Sequence, residues 1–100
     1  MCHLTRCNEM TEPTPKYRWR HTWEDEPDDF TGFDGAVVVG RIFKDTTTPN
    51  AKDKWRWAGG HAPWVQKMVM PHNGCCETAR LAAKAAEDHY EAMKKAHGLD

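Results

Sequence analysis

The hydrophobic and polar positions of the chain fall into three alternating stretches and one helical one. Tyr17, Trp19, His21 and Trp23 alternate with Arg18, Arg20 and Thr22, the period of two that gives a strand one apolar and one basic face. Ala36 to Lys44 follows as a second strand, with Val37, Val38, Val39, Ile42 and Phe43 all β-favouring, and its apolar continuity predicts a central place in the sheet. Lys54-Trp55-Arg56-Trp57 resumes the alternation and Gly59-Gly60 ends it. Trp64 to Met70, bounded by Pro63 and Pro71, reads as a shorter fourth strand. Between these elements, Glu24 to Thr31 holds Pro27 and too many carboxylates to pair into a sheet, so it reads as a solvated loop. Asp34-Gly35 supplies a turn, and the polar Asp45 to Asp53 stretch carries Pro49-Asn50 as another.

From Glu77 to His97 the period changes. Ala, Leu, Lys and Glu dominate there, and Gly98 stands where a helix C-cap glycine belongs. On a helical wheel Ala79, Ala82, Ala83, Ala86, Tyr90 and Met93 form a core stripe, with Arg80, Lys84, Glu87, Asp88, Glu91, Lys94 and Lys95 opposite. Leu81, Ala85, His89, Ala92 and Ala96 make a third arc of small or weakly polar residues, which either a loop or a partner must cover. At ~1.5 Å per residue such a helix is ~30 Å long, so its last turns overhang a short-stranded sheet.

These elements predict an α+β fold: a three- to four-stranded antiparallel sheet with one C-terminal helix packed on one face, β-β-β-(β)-α. Residues 1–15 lack a hydrophobic period and read as a flexible lead-in, leaving 16–98 as a single small domain. Composition agrees, since 39% hydrophobic and 29% charged residues in a 100-residue chain suit one globular core. With so little interior available, the five tryptophans become its main source of buried surface. One helix covers one face, so alternation places Trp19, Trp23, Trp55 and Trp57 inward and the arginines outward.

A net charge of -1 gives no global attraction to nucleic acid or anionic membrane. Its distribution is polarised instead. Arg18, Arg20, Arg41, Lys54 and Arg56 fall on the outer sheet face, a candidate phosphate-binding surface for a nucleic-acid partner. The same charges equally suit a sheet face protected against aggregation or neutralised by the acidic loop. That loop, with Asp25, Asp28 and Asp29 among its carboxylates, is a candidate surface for a basic protein partner. It has neither EF-hand spacing nor the central glycine of a calcium loop.

The chain has no apolar run of about 18 residues and no signal-like start, which predicts no membrane association and a cytoplasmic location. Its four cysteines are then expected as thiols or metal ligands. Cys2, Cys7, His72 and Cys75 form a conceivable tetrahedral zinc set, with His3, His61 and Cys76 as substitutes. Cys75 and Cys76, near the helix start, are more simply buried small hydrophobes than nucleophiles, because no base with an orienting carboxylate accompanies them. No cofactor-binding loop is present in the sequence.

Trp23, Phe33-Asp34-Gly35, Val39-Gly40-Arg41-Ile42, Trp55-Arg56-Trp57, Gly74 and Thr78-Ala79 together form a pattern that resembles a group of short, uncharacterised bacterial and prophage-borne proteins. The resemblance covers residues 16 to about 95 and implies a small domain without an assigned activity. The order of strands then an Ala-rich helix is also similar to antitoxin-type and integrase-arm modules, in topology only. The sequence therefore leads to an expectation of a non-enzymatic interaction module. It would bind another protein, or itself, through Leu81, Ala85, His89, Ala92 and Ala96 or through the acidic loop. Nucleic-acid binding by the arginine face and a small zinc domain are the alternatives.

Overall fold

The computed structural model describes residues 14–45 and 54–99. Five strands follow one another as an antiparallel meander in the order β1-β2-β3-β4-β5: β1 (Arg18–His21), β2 (Asp29–Asp34), β3 (Val37–Asp45), β4 (Lys54–Gly59) and β5 (Asn73–Cys76). The helix α1 (Ala79–Ala96) crosses one face and packs on β3, β4 and β5. The α+β class with a C-terminal helix is as expected, and the strand count is five rather than three to four.

Both differences have physical causes. β2 lies partly inside the expected acidic loop, because its carboxylates are satisfied within the fold: Asp29 pairs with Arg41, and Asp34 accepts from the Tyr90 hydroxyl at 2.7 Å. Trp64 to Met70 is not a strand. Trp64 packs on the helix instead, its ring 6.0 Å from Tyr90 and 5.5 Å from His97 between centroids, while Met70 at the far end of the segment is exposed. The remaining strand is Asn73–Cys76, hydrogen-bonded to β4 with Trp57 opposite Gly74 and Trp55 opposite Cys76.

Ile42, Trp57, Cys76, Leu81, Ala82, Ala83 and Ala86 form the core, with Trp19, Phe30 and Trp55 packed against it. The alanines of the stripe bring α1 close to the strands. At Gly40 a Cβ would stand 2.7 Å from the Ala58 carbonyl oxygen and 3.0 Å from the Ala86 Cβ, so only glycine permits this approach. The β2–β3 register slips between Gly32 and Phe33, leaving Val39 as a bulge whose carbonyl accepts from Gly60 N at 3.0 Å. Thr78 caps α1 by accepting from Leu81 N at 3.2 Å, which starts the helix two residues later than Glu77. Gly98, at φ +69°, takes the C-cap role expected of it.

The helix side of the sheet also buries a carboxylate that the wheel placed in water. Glu87 is 5% exposed and accepts from the backbone amides of Lys16 (3.0 and 3.1 Å) and Tyr17 (2.9 Å) and from Trp19 Nε1 (2.9 Å). One turn on, Glu91 takes the Tyr17 hydroxyl and Lys16 Nζ, the latter at 2.9 Å. Those two contacts, the tyrosine's first, hold the Glu91 carboxyl below its ordinary value. The edge strand β1, which α1 does not cover as it covers β3 to β5, is thus tied to the helix by polar contacts. Among the described residues no helix is long and apolar enough to cross a membrane.

Candidate interaction surface

Pairing across the sheet places Arg18, Arg20, Thr31, Phe33, Arg41, Phe43 and Arg56 on the face away from α1, as alternation requires. That face is much less positive than its sequence suggests. Asp29 is buried and accepts from Arg41 Nε at 2.8 Å and from a second guanidinium nitrogen. The Arg41 hydrogen bonds, helped by Thr22 and Trp23 and opposed by burial, hold the Asp29 carboxyl below its ordinary value. Arg41 in turn lies over the Phe43 ring at 4.9 Å. Asp45, 2% exposed, takes Arg56 Nε, and Lys54 Nζ meets Glu77 at 2.9 Å. The expected basic surface of Arg18, Arg20, Arg41, Lys54 and Arg56 therefore shrinks to Arg18 and Arg20, because the other three cations each have a carboxylate.

Arg18 and Arg20 border a groove of about 460 Å³ whose remaining wall is Phe33, Gly35 and Ala36. The Arg20 guanidinium sits 6.0 Å from the Phe33 centroid. Among the described residues no acidic side chain lines this groove. Sequence reasoning missed Phe33 as a member of this site. Its signal was available: treating residues 29–34 as a strand would have put Thr31 and Phe33 on the arginine side.

Trp23 departs from expectation. β1 stops at His21, so the alternation that carries Trp19 inward ends before Trp23, which is 57% exposed rather than beneath the helix. Its side chain makes the smallest of the contributions that lower the Asp29 carboxyl, and its surface faces solvent. Glu24, Asp25 and Glu26 beside it are exposed and Asp28 is half-buried. A second, shallower cleft runs from Trp23 past Glu26, Asp28 and Asp29 to Phe43 and Lys44. Of the acidic residues singled out from the sequence, Asp25 and Asp28 remain at the surface, whereas Asp29 is consumed by Arg41.

The helix arc offered as a docking surface is largely occupied. Leu81 and His89 are buried, Ala85 is half-buried, and only Ala92 and Ala96 are exposed. The segment after β4 covers its middle: His89 Nε2 bonds the Val69 carbonyl at 2.9 Å, and Val69 N approaches Met93 Sδ at 3.1 Å. His97 accepts the Gln66 and Lys67 amides on Nε2, at 3.0 and 3.3 Å, while its Nδ1 faces the Met93 carbonyl at 2.8 Å. Burial pushes the His89 imidazole below its ordinary value, more than the Val69 bond raises it, and His72 lowers it further. Of the two coverings the sequence allowed for this arc, the loop is the one present.

Of the zinc set only His72 and Cys75 fall among the described residues. Cys2 and Cys7, like His3, lie outside the described residues, and Cys75 is disulfide-bonded, which takes its sulfur out of the thiol or ligand role. Cys75 and Cys76 are neighbours on β5 and so point to opposite faces, which leaves Cys76 as a free thiol inside the helix-side core. His72 Nδ1 meets the Asn73 amide at 3.2 Å. Among the described residues no group of three or more His, Cys, Asp or Glu side chains could hold a metal ion. No protein-family model, no curated protein and no solved structure matches the chain.

Proposed function

We propose that this chain is a non-enzymatic protein-interaction module, an accessory or inhibitor factor of bacterial or phage origin, that docks through the loop joining β1 and β2. The observation that carries this reading is Trp23: a large aromatic ring, 57% exposed and followed in the chain by the exposed Glu24, Asp25 and Glu26. Exposed tryptophans are the side chains that dominate binding energy when a partner covers them. The carboxylates favour a partner with a basic surface and speed its encounter.

A photo-crosslinking side chain at position 23, compared with one at the exposed Arg80 on α1, tests the reading. The expected product is an adduct specific to position 23, whose captured protein, once purified, binds Trp23→Ala at least tenfold more weakly than the parent. Equal capture from both positions, or binding indifferent to Trp23, overturns it. The nucleic-acid reading now stands on Arg18 and Arg20 alone, two cations where phosphate tracking uses several. A cytoplasmic setting would leave Cys75 reduced, whereas disulfides persist in oxidising compartments. Counting free thiols in protein alkylated at the moment of lysis distinguishes these locations.

A further inference from the structure

The β1–β2 hairpin carries two complementary features near its opposite ends. At one end is the Trp23 loop with Glu24, Asp25 and Glu26 exposed; toward the other is the groove of Arg18, Arg20 and Phe33, whose lining includes no carboxylate among the described residues. β1 is paired residue by residue with β2, Arg18 opposite Phe33 and His21 opposite Phe30. An extended strand advances ~3.3 Å per residue, so β1 carries His21, where the Trp23 loop begins, roughly 10 Å from Arg18. The groove, about 460 Å³, falls in the size range of sites that enclose small ligands and can admit one indole.

We infer that the groove formed by Arg18, Arg20 and Phe33 receives the Trp23 loop of a second copy of this chain. The inference rests on the reading of Trp23 as a docking residue and names its partner. The indole stacks against Phe33 while the guanidinium groups of Arg18 and Arg20 take the carboxylates of Glu24, Asp25 and Glu26. Such a contact joins two different patches, so it propagates head to tail and closes into a ring or grows as a chain. The alternative self-contact, pairing of two β1 edges about a twofold axis, sets Arg18 and Arg20 of one copy beside those of the other and is opposed by like charge.

Light scattering on the full chain, from micromolar to near-millimolar concentration, tests this directly. The wild-type mass is expected to rise above the 11.5 kDa monomer and the association to weaken at least tenfold with added salt. Two charge-reversed proteins, one carrying Arg18→Glu and Arg20→Glu and the other Glu24→Lys, Asp25→Lys and Glu26→Lys, should each remain monomeric. Mixed in equal amounts they should associate, because acidic and basic partners are again available. Trp23→Ala, at a solvent-exposed position, should also be monomeric. A wild-type mass fixed at the monomer value, or a mixture that stays monomeric, overturns the inference. Binding of a labelled single-stranded oligonucleotide that is abolished by Arg18→Glu and Arg20→Glu, in a protein that never self-associates, overturns it in favour of nucleic acid. If the crosslinker at position 23 captures a different protein while the chain stays monomeric, the second copy is excluded and the docking role of Trp23 stands. If it captures nothing specific, both fall.

Discussion

Each face of the sheet buries carboxylates, and the two faces satisfy them in different ways. Against α1, Glu87 is held by neutral donors, two backbone amides and an indole N–H, drawn from a segment about seventy residues earlier in the chain. On the opposite face Asp29 and Asp45 are held by arginines one strand away, Arg41 and Arg56. The first arrangement is a long-range tie that fastens an edge strand to the helix. The second neutralises local charge, and by doing so decides which arginines are left to act. Binding potential on the outer face is what remains after the structural pairs are made.

The largest test of this contrast is Glu87→Ala, which leaves two amides and an indole N–H without their acceptor. It should cost about 3–4 kcal/mol in urea-induced unfolding, from hydrogen bonds to a charged group lost together. Arg41→Ala leaves Asp29 buried without its main partner, and should cost about 2 kcal/mol. Equal losses would mean that the two faces do not differ in the way described. Gly40→Ala probes the close approach of helix and sheet and should cost about 2–3 kcal/mol in the same assay, because the Ala58 backbone cannot give way easily.

Titration separates the faces along the pH axis. His89 has a depressed value, so its neutral form is favoured in the folded protein and the unfolded chain binds the extra proton first. Stability should therefore be complete above the unfolded value of ~6.5 and fall as the pH drops below it. Asp29 is also depressed, and its contribution should persist until the pH falls below the ordinary 3.8 and then disappear through the lower folded value. Urea midpoints of His89→Gln and Asp29→Asn across pH should each lose the corresponding limb. The smallest effect belongs to Trp23→Ala, within about 0.5 kcal/mol of wild type, since an exposed ring contributes little to the core. A larger loss would make Trp23 a structural residue and remove it from the docking surface.

The parts of this fold that were legible in the sequence are those whose side chains keep one period. β3, β4 and the helix stripe do so, and Trp19, Trp55 and Trp57 face the helix as alternation demands. β2 was hidden because Asp29 and Asp34 count against a strand until their partners Arg41 and Tyr90 are known. β5 was hidden because Asn73-Gly74-Cys75-Cys76 has no pattern of its own and is selected by β4. The candidate site follows the same division. The outward direction of Arg18 and Arg20 was readable, but the neutralisation of Arg41, Lys54 and Arg56 depends on contacts across strands. Glu87 could not be recognised from its helix, where it looks like every other charged position; only the amides it serves distinguish it.

The order of elements also bears on how the molecule is made. All five strands precede α1 in the chain, and domains form progressively as their segments leave the ribosome. Trp19, Trp55 and Trp57 therefore all leave the ribosome before the element that shelters them. A chain halted just after β5 would display an aromatic surface and an untethered β1, the kind of species chaperones retain. Completion of the last helical turns shelters the tryptophans and fastens the first strand in a single docking event.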